Sequence, residues 1–448
     1  MSSLSDRSFR PLLLAGILVW LAPRATRAEN SLSYKYESYQ EMGGRIAVQT
    51  RGAVVEQDLG TDMHLKLDGV IDTITGATPT GVPAAAGSNQ VDLSELHPER
   101  RKAWNADFSR QFPGINVSIG LGNSRESDYV SNGWSVNTLT DFNQKNTTLL
   151  AGLAGTDDKI KVFYQGPRAR KHTHDLILGV TQLLDPHTAL TFNVTWGRAE
   201  GYLADPYRLV QKTTEIVPGI SLPLTFGENR PGSREKAIAL VGVNRAFNEL
   251  HGAIDATYRY YHDTFGTSAH TVDLAWFQHV GEKVILRPGV RFYSQSAASF
   301  YHYDLDQTSI TPTAGAPRAS GPFYSADYRL SQLQSFNYGL KVIWKATERL
   351  DLDAALEQYD MRGTDGVTPQ SAYPRARTIT FGGKISWEAE FYPWPSSPSR
   401  TVRRPPLPRG RWRPCENCRF GRSARSAKSN TPAVRRRRRR SSARRLTG

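Results

Sequence analysis

Thr188–Arg198 reads TALTFNVTWGR, and its side chains fall into two sets. Leu190, Phe192, Val194 and Trp196 share one face of an extended chain, and Thr191, Asn193, Thr195 and Gly197 share the other. A strand turns successive side chains to opposite faces, so this period of two marks a strand with one apolar side. The same division recurs along the chain. In Thr61–Asp72, Met63, Leu65, Leu67 and Ile71 oppose His64, Lys66 and Asp68. In Gly252–Asp263, Ile254, Ala256, Tyr258 and Tyr260 oppose Asp255, Thr257, Arg259 and Tyr261. Phe336–Lys345 and Arg377–Trp387 repeat it. A helix would put charge on all its sides in each of these segments, so strands are expected throughout.

Two architectures use such strands: a soluble sandwich or propeller, and a membrane barrel. Aromatic residues gather near strand ends (Tyr34 and Tyr36, Trp104 and Phe108, Tyr260 and Tyr261, Trp344, Trp387), where headgroup-level girdles would put them. The connections come in two lengths. Some are tight, around Asp185–Pro186, Gly281–Glu282 and Thr347. Others are long and rich in Gly, Pro and Ser, at 74–97, 201–235, 304–325 and 363–375. Short turns at one end and long loops at the other are the barrel pattern. The expectation is an all-β fold: one transmembrane antiparallel β-barrel of about 16 strands, within 14 to 18, with no separate plug domain.

The ends of the chain read differently. Arg7 and Arg10 precede the apolar run PLLLAGILVWLA (residues 11–22), and Thr26 and Ala28 suit a signal peptidase, so 1–28 reads as a signal peptide and 29–387 as the barrel. The run is too short to span a membrane as a helix. The chain has 57 Lys and Arg against 42 Asp and Glu, a net charge of +15. That excess sits in residues 388–448, where 17 Arg and Lys428 face only Glu388, Glu390 and Glu416. The body is slightly acidic, and its charge calls for no nucleic-acid partner. Both cysteines, Cys415 and Cys418, also lie in this stretch, so no disulfide or thiolate chemistry is available to the barrel. As a lone C-x-x-C they make a weak metal or redox signal. The Arg- and Pro-rich composition is that of a GC-rich gene read out of frame. The alternative is a basic, disordered periplasmic tail.

Several strings are distinctive: TGATP (75–79), SRESDYVS (124–131), GYLADPYR (201–208), ENRPGSREK (228–236), YRYYHDTFG (258–266), RPGVRFYSQSAASFY (287–301) and SADYRLS (325–331). Together they resemble the bacterial family known as domain of unknown function 3570, from about Tyr34 to Trp387. The resemblance implies an exported outer-membrane barrel of about this length, with outer-membrane lipid and the barrel-assembly machinery as partners. Such barrels end at a lipid-facing aromatic residue, and Trp387 stands in that place. The resemblance also implies a periplasmic partner of redox type.

The rim holds the residues a catalytic reading would use. His262, Asp263 and His270, or Ser294 and Ser296 beside His302, would be the groups of a hydrolase, but no oxyanion hole or third partner stands at recognisable spacing. His172 and His174 are two residues apart and read as solvated strand residues rather than a metal pair. Glu126, Asp128 and Tyr129 lack the multi-carboxylate spacing of a Ca²⁺ loop and read better as a loop anchor. No enzyme activity, cofactor or metal is expected. Function is then expected of the polar face. Arg259, Asp273, Arg287 and Arg291 are candidate lumen residues, while Asp128, Asp205, Arg208, Arg234 and Asp263 at loop–strand junctions form either a constriction or loop-fixing ion pairs. A passive channel or transporter for small polar solutes is the expected function. The alternatives are a scaffold that docks a periplasmic partner and an outer-membrane hydrolase.

Overall fold

The computed structural model describes residues 24–84, 88, 90–162, 166–312 and 317–391. The body of the expected signal peptide and the basic tail from residue 392 onward, with Cys415 and Cys418, lie outside the described residues.

The strands are β1 (Arg24–Glu41), β2 (Ala47–Asp58), β3 (Met63–Pro79), β4 (Leu93–Phe112), β5 (Ile115–Arg125) and β6 (Tyr129–Phe142). Then come β7 (Thr147–Ile160), β8 (Ala169–Asp185), β9 (Thr188–Gly201), β10 (Leu209–Val217), β11 (Ile220–Gly227) and β12 (Ser233–Phe247). The last six are β13 (Gly252–Asp263), β14 (Ser268–Val280), β15 (Val284–Gln295), β16 (Leu333–Lys345), β17 (Leu350–Gly363) and β18 (Arg375–Phe391). Sixteen of them form one closed barrel in the order β1-β18-β17-β16-β15-β14-β13-β12-β9-β8-β7-β6-β5-β4-β3-β2, and β10 pairs with β11 in a separate hairpin. All barrel pairings among the described residues are antiparallel, and β1 closes on β18 through Tyr34↔Gly383 and Tyr36↔Phe381. Closure leaves no strand edge unpaired, the condition for a sheet in hydrocarbon.

Register shows which face is which. Phe108, Ile119, Val136 and Leu153 are successive cross-strand partners, as are Phe192 and Val241, and all of these are exposed on the outside of the cylinder. In water a belt of exposed Leu, Val, Phe and Trp this wide would be an aggregation surface, whereas in lipid it is the solvated face. The chain therefore has the architecture of a membrane-spanning barrel. The connections separate by end. One end carries tight turns such as Pro113–Gly114, Pro186–His187 and Gly281–Lys283, and the other carries the long loops.

Four details differ from the sequence reading. The expected loop 74–97 is strand at both its ends, because β3 and β4 continue pairing as far as Pro79↔Leu93. Above the lipid the outward residues become polar, so alternation of hydrophobicity no longer marks the strand. This extension passes through a bulge at Gly76, whose φ is +105° and where a Cβ would lie 2.2 Å from the carbonyl oxygen of Arg45, so only glycine fits. The loop 201–235 contains the β10–β11 hairpin. Finally, β18 runs four residues beyond Trp387, and Tyr261 belongs to the inner face rather than the girdle.

The buried apolar clusters are not in the middle of the barrel. Val91, Tyr328, Leu333, Ala372 and Tyr373 form one, Val210, Leu305, Tyr324 and Ala326 a second, and Phe265, Ala298, Phe300 and Leu330 a third. All three lie in the long loops and the strand ends that adjoin them. The densest packing is a cap over one mouth.

Candidate functional site: the lumen wall and the mouth cap

The inner wall is built from the polar half of each strand. Cations and anions alternate along it and pair locally. Lys236 Nζ is 2.9 Å from Asp175, Lys341 Nζ 2.9 Å from Asp353, Arg101 Nη2 2.6 Å from Asp72 and Arg291 Nε 3.4 Å from Asp273. Arg259 and Arg287 have no carboxylate within pairing distance among the described residues. Their guanidinium groups lie over the rings of Tyr261 (5.6 Å) and Phe277 (5.2 Å). A recess of about 400 Å³ on this wall is lined by Asp255, Asp273, Arg287, Arg291, Lys341 and Glu357 among others. The four expected lumen residues, Arg259, Asp273, Arg287 and Arg291, are thus gathered on one inner sector.

Glycine shapes the wall. Asn105, Asp107, Asn137, Asp175, Asn193 and Asp353 each face a glycine directly across the ladder: Gly122, Gly120, Gly152, Gly197, Gly179 and Gly382. A Cβ on any of these glycines would stand 2.0 to 2.5 Å from the facing side-chain oxygen. The missing side chain lets the neighbour lie flat against the backbone, so polar groups line the lumen without filling it.

The mouth is different. Three charged strings converge there: Asp205 and Arg208 from the segment after β9, Glu228 and Arg230 after β11, and Asp327 and Arg329 before β16. The Asp327 carboxylate accepts from Arg329 Nε (2.8 Å), Arg329 Nη2 (2.6 Å) and Arg230 Nη2 (2.8 Å). Arg329 Nη2 also donates to Asp205 (2.6 Å), and Arg230 Nη2 to Glu228 (2.9 Å). Glu228 further accepts from the Ser325 hydroxyl (2.5 Å) and from the backbone N–H of Asp205. Asp327 and Glu228 are buried at 1% and 3% exposure, so neither charge is solvated by bulk water. The adjacent guanidinium groups hold the Asp327 carboxyl well below the usual carboxylate range despite its burial. Burial pushes Glu228 the other way, up to about 7, because Arg230 only partly offsets desolvation and Asp327 repels.

Arg208 shows how far the cap reaches. Its guanidinium donates to the carbonyl of Pro79 and to Thr78 Oγ1 (3.1 Å), and lies 5.7 Å from the Tyr328 ring centroid. Arg208 follows β9, whereas Thr78 is on β3, six strands away around the ring of sixteen. Tyr328 precedes β16, five strands away on the other side, and stacks edge-on against Tyr373 from the β17–β18 loop. The segment after β9 therefore crosses the mouth.

The remaining candidates resolve into anchors. Asp128 accepts from the Tyr207 hydroxyl, while Tyr129 donates to Asp158 (2.7 Å) and accepts from Lys171 (2.9 Å), so SRESDYVS fixes loops to the wall. Arg234 Nε donates to Asp263 (2.7 Å), whose other oxygen accepts the N–H groups of Phe265 (2.9 Å) and Thr267 (3.1 Å). That pair shapes the β13–β14 turn. His262 lies 2.9 Å from Ser268 Oγ, and His270 lies 2.8 Å from the Tyr258 hydroxyl, both on the outer surface of the cylinder. His172 and His174 are exposed on the same surface. Among the described residues no group of three or more His, Cys, Asp or Glu is arranged to hold a metal. The residues that the sequence reading passed over are Glu228, Arg230, Asp327 and Arg329. Their signal was there to find: an acid, one residue, then an arginine, repeated in two of the distinctive strings.

A closed cylinder with an apolar outside, a polar inside and a loop-packed mouth defines the class, a β-barrel of the outer-membrane type. The chain belongs to the family described as protein of unknown function DUF3570, which matches residues 20–170 and 162–374. No curated protein matches the chain. Among solved structures, the siderophore receptor PirA from Acinetobacter baumannii is similar at 13% identity and a TM-score of 0.38. The match covers 76% of this chain and 53% of the receptor, so the chain spans about half of that receptor's length. A loop L8 deletion mutant of OmpT, an outer membrane protein of Vibrio cholerae, is similar at 10% identity and a TM-score of 0.40, covering 80% of this chain and 99% of that one. The CymD monoaromatic hydrocarbon channel is similar at 10% identity and a TM-score of 0.37, covering 86% and 95%.

Proposed function

We propose that the protein is an outer-membrane channel for small polar solutes, closed at rest by its extracellular loop cap. One observation carries this reading: the inner wall bears both charges in local pairs, flattened onto glycines, while the mouth above it is sealed by a neutral set of three acids and three arginines. A wall of balanced charge has no strong preference for cations or anions and offers hydrogen bonds to neutral polar solutes. The free guanidinium groups of Arg259 and Arg287 supply a modest anion bias on one sector. Short turns face the periplasm in such barrels, so the cap is extracellular.

Planar-bilayer recording of the full-length protein tests this. The expected result is a small, infrequently opening current in the wild type and a larger, sustained one in Asp327→Ala. Absence of ion current in both would contradict the channel.

A further inference from the structure

The outward face carries one feature that transport does not use. Lys102 of β4 is the cross-strand partner of Arg125 of β5, Arg125 pairs with Val130 of β6, Val130 with Lys159 of β7, and Lys159 with Arg170 of β8. Four cations therefore stand in one row across five neighbouring strands, and all four are exposed. Like charges directly opposite each other destabilise a sheet, and this row does it twice, at Lys102↔Arg125 and Lys159↔Arg170. Among the described residues none of the four has a carboxylate partner. The nearest outward acid, Asp157, lies one position below Lys159 and faces His172 at 3.9 Å.

The rest of the outer rim is arranged otherwise. Arg198 pairs with Glu200 and with Glu235 (3.2 Å), and Arg375 pairs with Asp360 (2.7 Å). The β13–β15 sector presents the neutral or weakly basic His262, Ser268, His270 and Ser294. Among the described residues, outward cations set directly opposite one another are thus confined to β4–β8.

The row's position relative to the apolar belt identifies what would compensate it. In β4 the next outward residue below Lys102 is Trp104, at the edge of the belt. In β8, His172 and His174 separate Arg170 from Leu176. The row starts at the hydrocarbon boundary and climbs away from it, as a cross-strand line must when strands tilt by roughly 35–45°. Strands about 4.8 Å apart make it about 19 Å long. That length and that change of height exceed one phosphate and suit a headgroup with phosphates on more than one sugar.

We propose that the outward face of β4–β8 binds a phosphorylated glycolipid of the surrounding leaflet, with Arg125 and Arg170 gripping phosphate oxygens and Lys102 and Lys159 adding point charge. The lipid neutralises the like-charge pairs and so fastens one sector of the barrel to its membrane. The proposal rests on the membrane-spanning reading of the fold and not on conduction, so the channel can fail its own test without affecting it.

The test compares the full-length wild type with the combined variant Lys102→Gln, Arg125→Gln, Lys159→Gln and Arg170→Gln, and with the control Arg362→Gln, Arg377→Gln on β17 and β18. Bis-phosphorylated lipid A, its mono-phosphorylated form and phosphatidylglycerol are titrated into detergent-solubilised protein, and bound lipid is counted by native mass spectrometry. Heat-modifiable gel migration selects folded protein, and the basic tail is common to all three proteins. The expected result is tightest binding of the bis-phosphorylated lipid, weakened at least tenfold in the row variant and unchanged in the control. Equal binding by wild type and row variant would overturn the proposal, as would binding of phosphatidylglycerol as tight as that of lipid A.

Discussion

The lumen wall and the mouth cap are made from the same kinds of residue, yet they use charge in opposite ways. On the wall, ions are half-solvated and each pair is closed within one or two strands, as with Lys341–Asp353 and Lys236–Asp175. Such pairs contribute little to stability, and in the proposed channel they tune what passes. In the cap, Asp327 and Glu228 are removed from water, and Arg230 pairs with both, joining the segment after β11 to the one before β16. There each ion depends on its partners, because an unpaired buried charge is costly. The wall tolerates change, while the cap is cooperative and can come apart as a unit.

The largest expected effect follows from that dependence. Asp327→Ala leaves Arg230 and Arg329 without their shared acceptor and should cost the cap about 3–5 kcal/mol. Trypsin cleavage of the 296–332 loop in nanodiscs should accelerate roughly a hundredfold or more, the population of open cap rising with that free energy. An unchanged rate would erase the distinction between cap and wall.

Next in size is a dependence on pH. Glu228 titrates at about 7 in the folded cap against an ordinary 4.5. The folded form holds its proton longer, so this group's contribution is full below pH 4.5 and is lost as pH rises through 7. The span corresponds to about 3 kcal/mol. Loop protection against protease should therefore fall between pH 5 and 8 in the wild type, and Glu228→Gln should flatten that slope. A slope of the opposite sign would mean that Arg230 outweighs burial.

Smaller effects belong to the wall. Gly197→Val places a branched side chain where a Cβ already meets Asp175 Oδ1 at 2.0 Å and Lys236 Cε at 2.3 Å. That overpacking should cost about 1–3 kcal/mol and push the ion pair into the lumen, lowering conductance with the cap intact. Least of all, Arg287→Gln should shift the reversal potential a few millivolts toward cations without altering thermal stability, since the guanidinium lies over the Phe277 ring and has no carboxylate partner among the described residues.

How much of this could be read beforehand follows the same division. The barrel was legible because lipid imposes a period of two on each spanning segment: Leu190 to Trp196 sufficed to orient β9, and the count of sixteen followed from repetition. Arg259, Asp273, Arg287 and Arg291 were legible as lumen residues for the same reason. The cap was not. Its contacts join residues such as Arg208 and Thr78, 130 positions apart, and no local periodicity records them. Strand extensions above the lipid were missed because their outward residues are polar. The family strings marked the right segments, but without partners Asp205 and Arg208 were equally compatible with a constriction and with loop-fixing pairs. In the structure both belong to a salt-bridged network of the mouth loops.

The central claim, that neighbouring residues of one strand face lipid and water alternately, is tested most directly by cysteine accessibility. With Cys415 and Cys418 replaced by serine, Thr195→Cys and Val194→Cys are each reconstituted in nanodiscs and exposed to a charged maleimide. The account predicts labelling at position 195 and none at 194. Labelling at 194, or protection at both, would contradict a water-filled cylinder in a membrane.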